Sequence, residues 1–140
     1  MTYTHHPTTT GRASSRYQQV QNEAVDHRDL VVLLFEGAAR FLQDGCRYLR
    51  VRDYERWAHC SNQVRRVLSE LTLALDDSAA PDLCRSLKAL YVYIQRIVTE
   101  GGLEEDMDKL QEAISLLTQL AAAWREAKNT CQKQNAKQTA

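Results

Sequence analysis

The chain reads as all-α, an elongated antiparallel up-down-type four-helix bundle, on three observations. Four segments of 20 to 25 residues space their apolar side chains in steps of three and four, the period of a helix with one buried face. Prolines and glycines are few (two and five), while Leu, Ala, Arg and Gln are plentiful. Aromatic and β-branched residues are too sparse to supply a sheet.

The elements follow in order. Residues 1–16 are rich in Thr, Ser and His and read as a disordered N-terminal tail. Tyr17, Val20 and Val25 form a weakly apolar segment, short enough to become helical only on docking. The first long helix is predicted from about Asp26 or Arg28 to Arg52, with Leu30, Leu33, Leu34, Phe41 and Tyr48 as its bundle seam. Asp53 suits the N-cap of a second helix, Tyr54 to Leu75, whose seam is Trp57, Ser61, Val64, Leu68, Leu71 and Leu75. Pro81 fits the first turn of a third, because its missing N–H would be unpaired there. Leu83, Leu87, Leu90, Ile94 and Ile97 form that seam, and Gly101-Gly102 is expected to stop the helix. Met107, Leu110, Ile114, Leu117, Ala121 and Trp124 mark the fourth, expected to fray after Ala127 and leave a disordered tail, 129–140. Residues 17–128 thus make one domain. Short connections near residues 52, 79 and 102 force antiparallel neighbours.

Composition excludes several functions. Eighteen basic residues balance eighteen acidic ones, which argues against nucleic acid, whose phosphates demand a cationic surface. The polar N-terminus lacks the apolar core of a secretory signal. The longest unbroken apolar run, Leu30 to Phe35, is far short of the roughly 20 residues that span a bilayer. Cys46, Cys60, Cys84 and Cys131 are scattered without metal-ligand spacing, and read as reduced, mostly buried cytosolic thiols.

Catalytic patterns are missing. There is no Gly-rich phosphate loop or nucleophile elbow. The di-iron motif Glu-x-x-His is not met, since Glu23/His27 and Glu55/His59 stand one residue too far apart. No metal or other cofactor is expected, and no enzymatic activity. One alternative is a histidine phosphotransfer bundle using His59, although the surrounding His59-Cys60-Ser61-Asn62 lacks the usual Lys/Gly context.

The informative feature is a surplus of apolar surface. With Leu30 at zero on a helical wheel, the seam of helix one lies within about 60°. Val31, Phe35, Ala39, Leu42, Cys46 and Leu49 form a second stripe about 130° away. Leu116, Leu120, Ala123 and Ala127 lie off the seam of helix four, and Leu73 and Val92 off those of helices two and three. Large apolar patches are rare on soluble monomers. Three covers are open: the N-terminal segment of the chain, a second copy, or a foreign helix laid in a groove. A further reading makes helix one the central helix, touching three neighbours. Gly37 and Gly45, costly inside a helix, are read as points of close packing within the bundle.

The order of motifs resembles the flagellin-specific export chaperones, the FliS family. Tyr17-Gln18-Gln19-Val20 is similar to the family's N-terminal tyrosine segment. Leu30-Val31-Val32-Leu33-Leu34-Phe35-Glu36-Gly37 resembles its helix-one signature, Leu-Ile-x-x-Leu-Tyr-Asp-Gly, with Phe35 in place of tyrosine and Glu36 in place of aspartate. Val67-Leu68-Ser69-Glu70-Leu71 with Leu75-Asp76, then Leu90-Tyr91-Val92-Tyr93-Ile94 and Trp124, continue the likeness through Lys128. The resemblance implies a non-enzymatic chaperone of the bacterial cytosol. It would bind the disordered C-terminal segment of flagellin, prevent premature polymerisation and deliver the subunit to the type III export apparatus of the flagellum. Implied partners are flagellin, an export gate component, and in some members an anti-sigma factor or other flagellar proteins. Joined to the surplus stripes, it makes Val31, Phe35, Leu42, Cys46, Val92, Leu116 and Leu120 the expected flagellin groove, with Tyr17 and Val20 occluding it in the free protein. A homodimerising structural or adaptor bundle is the other alternative.

Overall fold

The computed structural model describes residues 27–139. The expected tail 1–16, the segment bearing Tyr17 and Val20, and Ala140 lie outside the described residues. Four helices follow one another: α1 (His27–Arg50), α2 (Tyr54–Leu73), α3 (Pro81–Glu104) and α4 (Met107–Thr139), with no strand among the described residues. Both α1 and α3 pack chiefly on α2 and α4. The helices therefore stand at the corners of a square with α1 diagonal to α3. Connections of two to seven residues leave adjacent helices antiparallel.

At the centre the Phe35 and Tyr91 rings meet across the diagonal, centroids 5.9 Å apart and tilted by 56°. Leu42, Leu68, Ile94, Leu110 and Leu117 close around them, fully buried. The predicted seams of α2 and α4 hold: Val64, Leu68, Leu71, Leu110, Ile114 and Ala121 are buried, with Trp57 and Trp124 packed at the margin. On α3 the seam shifts toward Tyr91 and Val98, and Leu83 is exposed.

The two faces of α1 exchange places relative to the sequence expectation. Val31, Phe35, Ala39, Leu42, Cys46 and Leu49 are the buried seam, whereas Leu30, Leu33, Leu34 and Phe41 are exposed. The physical reason is continuity. The inner stripe runs unbroken from Val31 to Leu49, and its small Ala38 and Ala39, both buried, let neighbouring helices close in. The outer one is interrupted by Gly37, Arg40 and Asp44.

Caps set the helix ends. Asp53 receives the Arg56 N–H at 3.2 Å on its side chain, as its N-cap role predicts. Its own N–H donates to the Tyr48 carbonyl at 2.9 Å, and the Arg52 N–H to that of Leu49 at 3.0 Å. With Arg52 at φ 60°, this is the two-bond Schellman closure, made here without glycine. Helix α2 ends at Leu73 rather than Leu75, and Leu75 still packs on the core.

Gly101 and Gly102 do not stop α3. The helix runs on to Glu104 and closes with Glu105 at φ 52°. The glycines serve close approach instead. A Cβ on Gly101 would lie 2.8 Å from Leu110 Cδ2, and one on Gly102 2.5 Å from the Trp57 ring. Nor does the chain fray after Ala127, because α4 continues to Thr139.

Two predictions test which face is the core. Phe35→Ala should cost about 3–5 kcal/mol in urea denaturation, whereas Leu33→Ala should stay within about 0.5 kcal/mol. Burial, with nearby Cys84 as the lesser cause, pushes the Tyr91 phenol up to about 12. The native state thus holds this proton more tightly than the unfolded chain does. The associated stability is complete below pH 10 and is lost as pH rises through about 12. Denaturation midpoints between pH 9 and 11 should accordingly fall more steeply for the wild type than for Tyr91→Phe.

Candidate functional site

Among the described residues, the cysteines, His59 and the carboxylates are spread over the bundle. No group of three or more His, Cys, Asp or Glu side chains is placed to hold a metal ion. Cys46, Cys60 and Cys84 are free and buried. Burial pushes the Cys46 and Cys60 thiols up, so they stay neutral and weakly nucleophilic. His59 is exposed on α2.

What the structure offers is the outer face of α1. Taking Gly37 as zero at 100° per residue, Leu30, Leu33, Leu34 and Phe41 fall within about 60° of it. Phe35, Leu42 and Cys46 fall roughly 140° to 180° away, turned into the bundle. Leu33 is 56% exposed, Leu30 49% and Phe41 37%. At its far end the stripe enters a groove between α1 and α2 lined by Phe41, Asp44, Tyr48, Arg56, His59 and Cys60. The Arg56 guanidinium lies 5.5 Å from the centroid of the Tyr48 ring and ties the groove walls together. Along the edge, Glu36 pairs with Arg125 of α4 and Asp44 with Arg47. Arg40 adds an exposed positive charge on the same side.

Among the described residues, nothing packs on the middle of this face. A Cβ at Gly37 would meet nothing within 4 Å, so the expectation of close packing within the bundle fails here. It holds for Gly45, whose Cβ would lie 3.0 Å from the Trp57 ring. A glycine inside a helix costs about 1 kcal/mol relative to alanine. Position 37 bears that cost with no packing return from the described chain.

The seven expected groove residues are not brought together. Val31, Phe35, Leu42, Cys46 and Leu120 are buried in the core. Leu116 packs half-buried against the core. Val92 is 66% exposed, but on α3, at the diagonal corner. Sequence reasoning assigned Leu30, Leu33, Leu34 and Phe41 to the core. The signal that separates the stripes is the polar interruption at Arg40 and Asp44, which an inward face would not carry.

A second groove lies between α2 and α3, lined by Tyr54, Trp57, Ala58, Val98, Gly102 and Leu103. The Tyr54 hydroxyl closes one end by donating to Glu105 Oε1 at 2.7 Å. That bond, ahead of burial, raises the pKa of the phenol.

Comparison with known proteins adds the family. The family described as "Flagellar protein FliS" matches residues 10–131. The chain belongs to the FliS family. It is 26% identical to the flagellar secretion chaperone FliS of Campylobacter jejuni subsp. jejuni serotype O:6 over 117 residues, 84% of this chain and 91% of the relative. Its identity to the protein of the same description in Escherichia coli K12 is 23% over 121 residues, 83% and 89% of the two chains. With the Bacillus subtilis 168 protein it is 23% over 111 residues, 79% and 82%. FliS is a family of flagellar secretion chaperones, not of enzymes.

Proposed function

We propose that this FliS-family chain is a cytosolic export chaperone that takes the C-terminal segment of flagellin onto the outer face of α1. There the guest folds as an amphipathic helix, is kept from premature polymerisation, and is handed to an export gate component of the flagellar type III apparatus. The observation that carries this reading is the exposure of Leu30, Leu33, Leu34 and Phe41 on one side of a helix whose other side is already sealed. Family membership supplies the identity of the guest. An anti-sigma factor or another flagellar protein would be a further partner on the same chemistry.

Magnitudes decide how large the contact must be. Ordering a disordered guest costs about 2–5 kcal/mol. At about 25 cal/mol per Å², roughly 80–200 Å² of apolar burial offsets that alone. Micromolar affinity needs about 8 kcal/mol more, hence several hundred Å² beyond it. The guest is taken to continue past Phe41 into the α1–α2 groove, and Val92 and Leu116 remain accessible to a chain that wraps further. Guest contact thus moves from the buried Val31, Phe35, Leu42, Cys46 and Leu120 to the exposed stripe above them.

Tyr17 and Val20 have a place in this scheme. In the free protein the N-terminal segment shields part of the stripe, and flagellin displaces it.

Leu33→Asp and Phe41→Asp should each weaken calorimetric binding of the last ~40 residues of flagellin, a length for two helices, by at least tenfold. Their circular dichroism should match the wild type, and normal affinity in both would remove the site from α1. Deleting residues 1–22 should tighten binding severalfold or cause the free protein to aggregate; unchanged affinity and solubility would dismiss the shield.

A further inference from the structure

Resting on that reading, we infer that Gly37 is the specificity-determining position of the guest site: a bare spot on α1 that receives one large apolar side chain of the guest helix. Three observations converge. Gly37 lies at the middle of the exposed stripe, and no side chain of the described residues comes within 4 Å of where its Cβ would be. Leu30, Leu33, Leu34 and Gly37 stand at i, i+3, i+4 and i+7, the four corners of a knob-accepting hole. Gly37, Arg40, Phe41 and Asp44 form the next hole along the same exposed face, so position 37 is a corner of both.

The geometry selects the occupant. Two adjoining holes on one helix match knobs one heptad apart, which an α-helix presents on one face and an extended strand does not. With glycine at the shared corner the guest backbone can come close, and a Leu, Met or Phe can reach down between Leu33, Leu34 and Phe41. A methyl group at position 37 would lift the guest off both holes. A polar or small knob would leave the hole unfilled, so the site discriminates among guests by the size of one residue.

The test uses the full chain and a synthetic peptide of the last ~40 residues of flagellin, enough for two helices. Gly37→Ala should raise the thermal midpoint of the free protein, since alanine favours the helix and meets no neighbour. The same substitution should weaken peptide binding at least tenfold, and Gly37→Leu more. A more stable protein that binds less well is a combination that damage to the fold cannot produce. Leu33→Asp separates the two levels of the proposal. If Gly37→Ala binds normally while Leu33→Asp does not, the hole is refuted and the stripe stands. If both bind normally, the outer face of α1 is not the site at all. A lower midpoint for free Gly37→Ala would mean that the chain's own residues 1–26 occupy the spot, and a wild-type dimer made monomeric by Gly37→Ala would assign it to a second copy. Either result overturns the inference.

Discussion

Helix α1 carries large apolar residues on two opposite sides, and a square bundle can bury only the side turned inward. Every other feature of the molecule is arranged around that constraint. The inner side, from Val31 to Leu49, meets α2 and α4 directly and reaches α3 through the Phe35–Tyr91 contact. The outer side, Leu30 to Phe41, is left to water. An exposed stripe of this kind carries a standing cost in solubility.

The bundle tolerates that cost because its integrity does not depend on the outer face. Its ends are fastened elsewhere. The α1–α2 turn closes through Arg52 and Asp53, and Glu105 at the α3–α4 turn accepts a hydrogen bond from Tyr54 of α2. Trp57 lies over Gly102 so closely that no side chain fits between them. Lys109 bridges Glu100 and Glu104 at 3.1 and 3.0 Å across the same turn. These contacts fasten the turns at the end of the bundle where α1 meets α2 and α3 meets α4. A preformed helical surface loses little entropy when a disordered chain folds onto it, so the ordering cost falls chiefly on the chain that folds.

The chemistry of the exposed surface is consistent with recognition by shape and burial. Of its rim charges, Glu36 pairs with Arg125 and Asp44 with Arg47, while Arg40 stands exposed among them. On the proposed reading, discrimination among guests comes from how well apolar knobs fill the holes, and a single glycine then carries weight far beyond its size.

Much of this was legible in the sequence. Period-3.6 patterning gave the four helices, Asp53 and Pro81 marked two helix starts, and the order of motifs pointed to the FliS family. The excess of apolar residues on α1 was equally visible, because counting positions on a wheel requires no neighbours. Which stripe faces inward was not visible. Periodicity is a property of one helix, whereas burial is a property of the helices around it, and two stripes of similar composition are symmetric until those neighbours are placed. The same holds for the glycines. Gly37, Gly45, Gly101 and Gly102 look alike along the chain, yet three sit against Trp57 or Leu110 and Gly37 meets none of the described residues. Sequence determined that α1 has more apolar surface than one face can use. Only the packing of α2, α3 and α4 decided which part of it was left over.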